Sequence, residues 1–183
     1  MLRASKFIFA VLLIALSACA RRAPVPLPDF AARATTPEFQ LLDLNGAVTS
    51  LDTLRGKAVV LSFWAPWCFE CLAELDAFER MSKAMADFDV EFVAIGVSDS
   101  PERMRAVAHE KQLQRVKVLI DERDEVRQRF DATTLPLTFV LDRSGRTTPF
   151  PDPDTGQETK SCLGARGWET KRFADYLMAL SEE

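Results

Sequence analysis

The chain is 183 residues long, with 23 Lys+Arg against 27 Asp+Glu, one histidine and four cysteines, for a formal net charge of −4 at pH 7. That acidic balance, with no basic patch interleaved with aromatics, excludes nucleic acid as a partner. Roughly 145 residues follow the N-terminal region, enough for one domain with its own core, and no internal repeat divides them.

The first eighteen residues read as a targeting segment. Arg3 and Lys6 form a short positive region, and residues 7–16 form an apolar one. That run is shorter than the about 20 apolar residues a membrane-spanning helix requires. It ends in Leu16-Ser17-Ala18-Cys19, which resembles the lipobox of bacterial lipoproteins, where the cysteine is acylated and becomes the first residue. An ordinary cleaved signal with an incidental cysteine is the other reading. On the lipoprotein reading, residues 1–18 are removed and the net charge becomes −6. Cys19 then anchors the chain through lipid, without a transmembrane helix, in an extracytoplasmic space where disulfides persist. Residues 19–36 include Ala23-Pro24-Val25-Pro26-Leu27-Pro28, a stiff spacer read as a tether; a ligand for a proline-reading domain is the alternative. Residues 37–183 form the expected domain.

Within it, residues 38–42 alternate polar and apolar and predict a strand closed by Asn45-Gly46. Residues 51–57 predict a turn or short helix. The continuous apolar run 58–64 predicts a strand buried on both faces. A helix over 69–87 follows, with Leu72, Leu75, Phe78, Met81 and Met85 on one side. Residues 90–97 predict a second buried strand. A helix then starts with a serine cap and Pro101 at its first position and runs to about residue 112. A strand over 116–120, a short helix over 124–130 and a strand over 137–141 come next. Residues 143–146 predict a hairpin turn into Thr147-Thr148, and 168–180 a final amphipathic helix. The alternation predicts an α/β domain, a central sheet with helices on both faces.

The chemistry lies between the first buried strand and its helix, in Trp64-Ala65-Pro66-Trp67-Cys68-Phe69-Glu70-Cys71. A Cys-x-x-Cys pair at a strand-to-helix junction is suited to thiol–disulfide exchange. Unpaired N–H groups and the positive dipole end of the helix favour thiolate at Cys68, the attacking sulfur. Cys71, one turn on, is placed to resolve the mixed disulfide. Half a zinc site is the competing reading, but only the isolated His109 and Cys162 remain as further ligands. No metal is expected, and no cofactor beyond the Cys68–Cys71 disulfide itself.

Three segments resemble the thioredoxin-fold proteins of the TlpA/ResA-like group, membrane-tethered extracytoplasmic thiol–disulfide oxidoreductases. They are residues 59–71, then Thr134-Leu135-Pro136-Leu137-Thr138-Phe139-Val140-Leu141-Asp142 followed by Gly145, and Gly164-Ala165-Arg166-Gly167-Trp168. The resemblance covers residues 37–181. It implies a thioredoxin fold with a central mixed sheet, a disulfide-exchange enzyme, protein disulfide substrates and a membrane thiol electron donor. It implies that Pro136 is the cis-proline beside the dithiol, with the Leu135 backbone open to an incoming peptide; an ordinary trans turn proline is the alternative. It implies that Glu74 sits under the site and modulates the cysteines, against a solvated helix glutamate. Trp67 and Trp64 would shield the site, or simply pack in the core. Phe69 and Glu70, between the cysteines, tune the thiolate and face the substrate.

Departures from the family carry expectations too. Glu70 stands where proline is frequent; its charge disfavours a second negative charge, so a reductase is expected rather than a strong oxidase. Residues 149–158 form an extra proline- and acid-rich loop without calcium-ligand spacing. Cys162 is either inert or a third redox participant. The sequence also permits a thiol peroxidase of the peroxiredoxin branch, although Cys71 is a poor fit to a lone peroxidatic cysteine. A Sco-like copper metallochaperone is the non-enzymatic alternative, poorly matched in cysteine spacing and histidine position.

Overall fold

The computed structural model describes residues 25–183; the expected signal peptide, the lipidation site Cys19 and the start of the tether lie outside the described residues. The strands are β1 (Gln40–Asp43), β2 (Val48–Ser50), β3 (Ala58–Trp64), β4 (Val90–Val97), β5 (Lys117–Asp121), β6 (Leu137–Leu141), β7 (Thr147–Thr148), β8 (Phe150–Pro151), β9 (Glu158–Thr159) and β10 (Cys162–Leu163). The helices are α1 (Phe69–Ala84), α2 (Pro101–Glu110), α3 (Glu125–Arg129) and α4 (Lys171–Ser181). One mixed sheet runs β10-β6-β3-β4-β5-β1-β2, with β7 also on β6. β3, β4 and β5 are parallel, and β6 returns antiparallel to β3.

All seven residues of β3 are buried, and their alternation feeds two cores. Val59, Leu61 and Phe63 face a cluster with Phe39, Val126 and Phe130, under α3. Ala58, Val60 and Trp64 face the larger cluster built from α1, α2 and α4, including Leu75, Phe78, Met104, Phe173 and Leu177. The helices thus cover both faces, α1, α2 and α4 on one and α3 on the other.

Local chemistry explains the boundaries. The Ser100 hydroxyl accepts from the N–H of Arg103 at 3.3 Å, and Pro101 opens α2. The β6–β7 turn is organised by Asp142, whose Oδ1 accepts from the N–H groups of Ser144 and Arg146 at 2.9 Å each, with Gly145 at φ +80°. α1 ends at Ala84, three residues before the expected limit. Three features differ more. Residues 48–50 form a strand, an element absent from the sequence reading. The 149–158 loop is a small hairpin of β8 and β9. Trp168, expected to begin the last helix, lies before the Thr170 cap of α4, whose hydroxyl accepts from Phe173 N–H.

Contacts with the domain also reach back past the expected boundary at 37. Val25 and Leu27 pack against the larger core. The buried Arg33 donates to Asp142 Oδ2 at 3.0 Å and to Glu183 Oε1 at 2.8 Å. No helix among the described residues is long and apolar enough to cross a membrane.

Buried Glu79 of α1 ties the helix to the start of β5. Its Oε2 accepts from the N–H groups of Gln114, Arg115 and Val116 at 3.1, 3.0 and 3.1 Å. Truncation leaves these donors without their acceptor. Glu79→Ala is expected to lower the free energy of unfolding by about 2–4 kcal/mol, measured by urea denaturation of the oxidised protein.

Candidate active site around Cys68 and Cys71

β3 ends at Trp64, and Ala65-Pro66-Trp67 carries the chain into α1. Cys68 is the N-cap residue of α1, and its Sγ accepts from the N–H of Cys71 at 3.2 Å. The sulfur therefore stands at the end of the helix where unpaired N–H groups favour negative charge. Cys68 and Cys71 form a disulfide with an S–S distance of 2.06 Å. Cys68 is 8% exposed and Cys71 1%, so Cys68 is the outer sulfur.

The surroundings of the pair divide into a rim and a floor. Trp67 and Phe69 stand out from the rim, 57% and 85% exposed, and Glu70 is exposed beside them. The Trp67 indole N–H donates to Ser98 O at 3.3 Å, so its ring is oriented while its face is open. The Leu135–Pro136 bond is cis; Pro136 is buried and Leu135 half-buried. Exposed Leu163 follows Cys162 on β10, and Gly164 N–H donates to Pro136 O at 2.9 Å. The chain from β10 thus runs along the proline.

The floor is polar. Across the sheet, Ser62 pairs with Thr138, and Thr138 with Cys162. The alternation that sends Val60 and Trp64 to the α1 face sends Ser62 there too. Glu74, three residues after Cys71 on the helix, comes down onto this row and is buried. Its Oε1 accepts from Ser62 Oγ at 2.6 Å and Thr138 Oγ1 at 2.8 Å, and its Oε2 accepts from Trp168 Nε1 at 3.0 Å. Ser62 Oγ and Thr138 Oγ1 are themselves 2.9 Å apart.

These three oxygens form a triangle with three contacts, yet the two hydroxyls supply two protons. With the carboxyl protonated on Oε1 and donating to one of the hydroxyls, each contact carries one proton. Burial pushes the Glu74 carboxyl above the usual carboxylate range, while Ser62, Thr138, Trp168 and the Arg166 guanidinium pull it back. A carboxyl poised in this way under a dithiol is suited to passing a proton.

Cys162 is buried and free. Its Sγ donates to Asp152 Oδ2 at 3.4 Å. Burial, with the Asp152 carboxylate, pushes the thiol up to about 12, which leaves it protonated and a poor nucleophile. His109 lies on α2, remote in the fold from the end of β3. Of the residues singled out in the sequence, Cys68, Cys71 and Glu74 lie at the start of α1, and Pro136 precedes β6, whose Leu137 pairs with Phe63 near the end of β3. The sequence did not single out Ser62, Thr138 or Trp168 as partners of Glu74. The available signal was one hydroxyl residue interrupting each of two apolar strands, Ala-Val-Val-Leu-Ser-Phe-Trp and Leu-Thr-Phe-Val-Leu.

Comparison with known proteins agrees with this geometry. Residues 32–148 match the AhpC/TSA family. The thioredoxin-like protein YneN of Bacillus subtilis is 34% identical over 112 residues, 60% of this chain and 64% of YneN. The thiol-disulfide oxidoreductase ResA of Bacillus subtilis is 30% identical over 127 residues, 69% of each chain. The chain therefore spans somewhat under two thirds of the first of these relatives and just over two thirds of the second. Among solved structures, a secreted Mycobacterium tuberculosis disulfide oxidoreductase homologous to E. coli DsbE superposes with a TM-score of 0.55 at 27% identity, covering 60% of this chain and 80% of that one. The fold is thioredoxin-like.

The raised Glu74 carboxyl makes native stability depend on pH. Above the ordinary glutamate value the unfolded chain loses a proton that the native state keeps, so stability falls as pH rises through the interval up to the raised value. The slope from this group is expected to approach about 1.4 kcal/mol per pH unit. Urea denaturation of the oxidised protein across that interval is expected to show the decline, and Glu74→Gln is expected to flatten it.

Proposed function

The chain belongs to the AhpC/TSA family, and on that footing we propose that it is an extracytoplasmic thiol–disulfide oxidoreductase that reduces disulfides in client proteins. The observation that carries the reading is the Cys68–Cys71 disulfide at the cap of α1, with the outer sulfur accepting from a helix N–H and a buried carboxyl one turn further along the helix.

In the reduced enzyme, the Cys68 thiolate attacks one sulfur of a client disulfide. The client S–S bond breaks, a mixed disulfide forms, and the departing client sulfur takes a proton from water. Cys71 then loses its proton and attacks the Cys68 sulfur. The second client sulfur leaves as thiolate and is protonated, and the enzyme is left with the Cys68–Cys71 disulfide. Two electrons have passed to the client. A membrane-bound dithiol donor returns them to the enzyme. Glu74, buried one turn after Cys71 on the helix, takes the Cys71 proton and gives it back. Trp67, Phe69 and Glu70 meet the client, and the Leu135 backbone pairs with it as an added strand.

Glu70 between the cysteines supports the reducing direction, because its charge disfavours a very stable thiolate on Cys68. The client class is that of cytochrome c or copper-site assembly cysteines, as the family resemblance implies. Lipid on Cys19 would hold the domain at a membrane surface through the tether.

Insulin reduction tests the chemistry. Cys68→Ser is expected to lose at least about a hundredfold in rate, the loss produced by removing a nucleophile. Cys71→Ser is expected to accumulate mixed disulfides on non-reducing gels. Full activity in Cys68→Ser, or peroxide consumption in place of insulin reduction, overturns the reading. Equilibration with a thiol redox buffer tests direction: about −270 mV is expected for a reductant, and about −120 mV would mark an oxidase. Cys19→Ser is expected to move the protein from the membrane fraction to the soluble one.

A further inference from the structure

Asp152 anchors the extra loop of residues 149–158 to the segment that follows it. Asp152 Oδ1 accepts from the N–H groups of Asp154 and Thr155 at 3.0 and 2.9 Å, closing the hairpin turn. Its Oδ2 accepts from Cys162 Sγ at 3.4 Å and from Arg166 Nε at 3.1 Å. Burial opposes the charge on Asp152, but the Thr155 N–H, Arg166, Cys162 and the Asp154 N–H together hold it at about 2. It is a fixed anion, and it fixes Arg166.

Arg166 is clamped from several sides. Its Nη1 donates to Ala165 O at 2.9 Å and Gly164 O at 3.4 Å, and its Nε also lies 3.7 Å from Asp154 Oδ2. Its carbonyl accepts from Trp168 N–H at 3.0 Å, and the Trp168 indole reaches Glu74. A methyl group at Gly164 would lie 3.4 Å from Glu70 Oε2 and 3.6 Å from Arg166 Nη1. Arg166 is thus tied to the wall of the Glu74 pocket by two routes: through Trp168, whose indole bonds Glu74, and through Asp152 and Cys162, which pairs across the sheet with Thr138.

We propose that Arg166, held by Asp152, is a positioning residue whose cation keeps buried Glu74 able to release its proton as well as to hold it. The proposal rests on the oxidoreductase reading, in which Glu74 must take the proton of Cys71 when that thiol attacks the mixed disulfide and return it when the pair is reduced. The groups bonded to Glu74 are neutral: Ser62 from β3, Thr138 from β6 and the Trp168 indole. Around these lie Cys162 on β10, which stays protonated and pairs across the sheet with Thr138, the Asp152 and Asp154 carboxylates bonded to or beside Arg166, and, on α1 itself, Glu70 and the cysteine pair. Three neutral donors do not offset the burial of a carboxylate. A cation held nearby, where the effective dielectric is far below that of water, favours the charged form.

The test is a pH titration of the Glu74 carboxyl by carbon NMR in the oxidised full-length protein, with the resonance assigned by its loss in Glu74→Gln. Arg166→Gln is expected to raise the midpoint by about one pH unit, a tenfold gain in proton affinity. Arg166→Lys, which keeps the charge, is expected to stay within a few tenths of the parent. If Arg166→Gln does not fold, Arg166→Met replaces it with another uncharged side chain. An unmoved midpoint in the uncharged variant overturns the proposal. So does a shift in Arg166→Lys as large as in the uncharged variant, because packing rather than charge would then be responsible. The titration needs no turnover. Failure of the parent protein to reduce insulin therefore counts against the oxidoreductase reading alone, and an unmoved midpoint counts against Arg166 alone.

Discussion

The antiparallel register of β3 against β6 is the constraint from which the site follows. Phe63 faces Leu137 and Ser62 faces Thr138. That pairing brings the start of β6, with Pro136 just before it, beside the end of β3, with the Cys68 turn just after it. The same pairing puts two hydroxyls side by side on the face that α1 covers. A slip of β6 by one residue would turn Thr138 to the opposite core, among Phe39, Phe63 and Phe130, and put an apolar side chain against Glu74 in its place. The fit of each strand's side chains into two separate cores opposes the slip. The packing of Leu61 and Leu141 on one side and Val60 and Val140 on the other is therefore what places the polar floor.

Charge in this site is arranged by depth. Cys68 meets the helix terminus near the surface, Glu74 lies beneath it on neutral donors, and the Arg166–Asp152 pair closes the side next to β10. Each layer acts on a different protonation equilibrium. The helix terminus favours the outer thiolate, the hydroxyl row is completed by a carboxyl proton, and Asp152 keeps Cys162 protonated and out of the exchange. Cys162 behaves as a polar member of the wall: its thiol is a hydrogen-bond donor, and its high proton affinity separates it from the working pair.

Much of this was legible in the residues. The central strands β3 and β4 announced themselves as apolar runs, and the Cys-x-x-Cys stood where strand gave way to helical periodicity. Ser100-Pro101 marked the start of α2 through side-chain and ring geometry alone. What escaped depended on contacts distant in sequence. Ser62 looks like a blemish in an apolar strand until Glu74 and Thr138 are brought to it. Trp168 reads as the start of an amphipathic helix, although its indole is needed below α1 and the cap falls at Thr170. Asp152 sits in a segment whose composition suggests a solvated loop; nothing local reveals that it collects groups from the strand and turn beyond. Arg33 lies in a Pro-rich stretch with the composition of a tether, and only Asp142 and Glu183 give it a place. β2, three residues long, carries too few positions for alternation to register.

β7 and β10 lie end to end along β6, one beside Val140 and Leu141, the other beside Leu137 and Thr138. They are one border strand cut in two by residues 149–161. At the far side of the sheet the border is β2, three residues long. Neither margin therefore offers a long row of free N–H and C=O groups onto which another chain could zip. On the proposed function the protein meets cysteine-bearing polypeptides, and an extended chain pairs most readily with margins of that kind. By interrupting its border strand, this fold leaves little free edge to which such a chain could add.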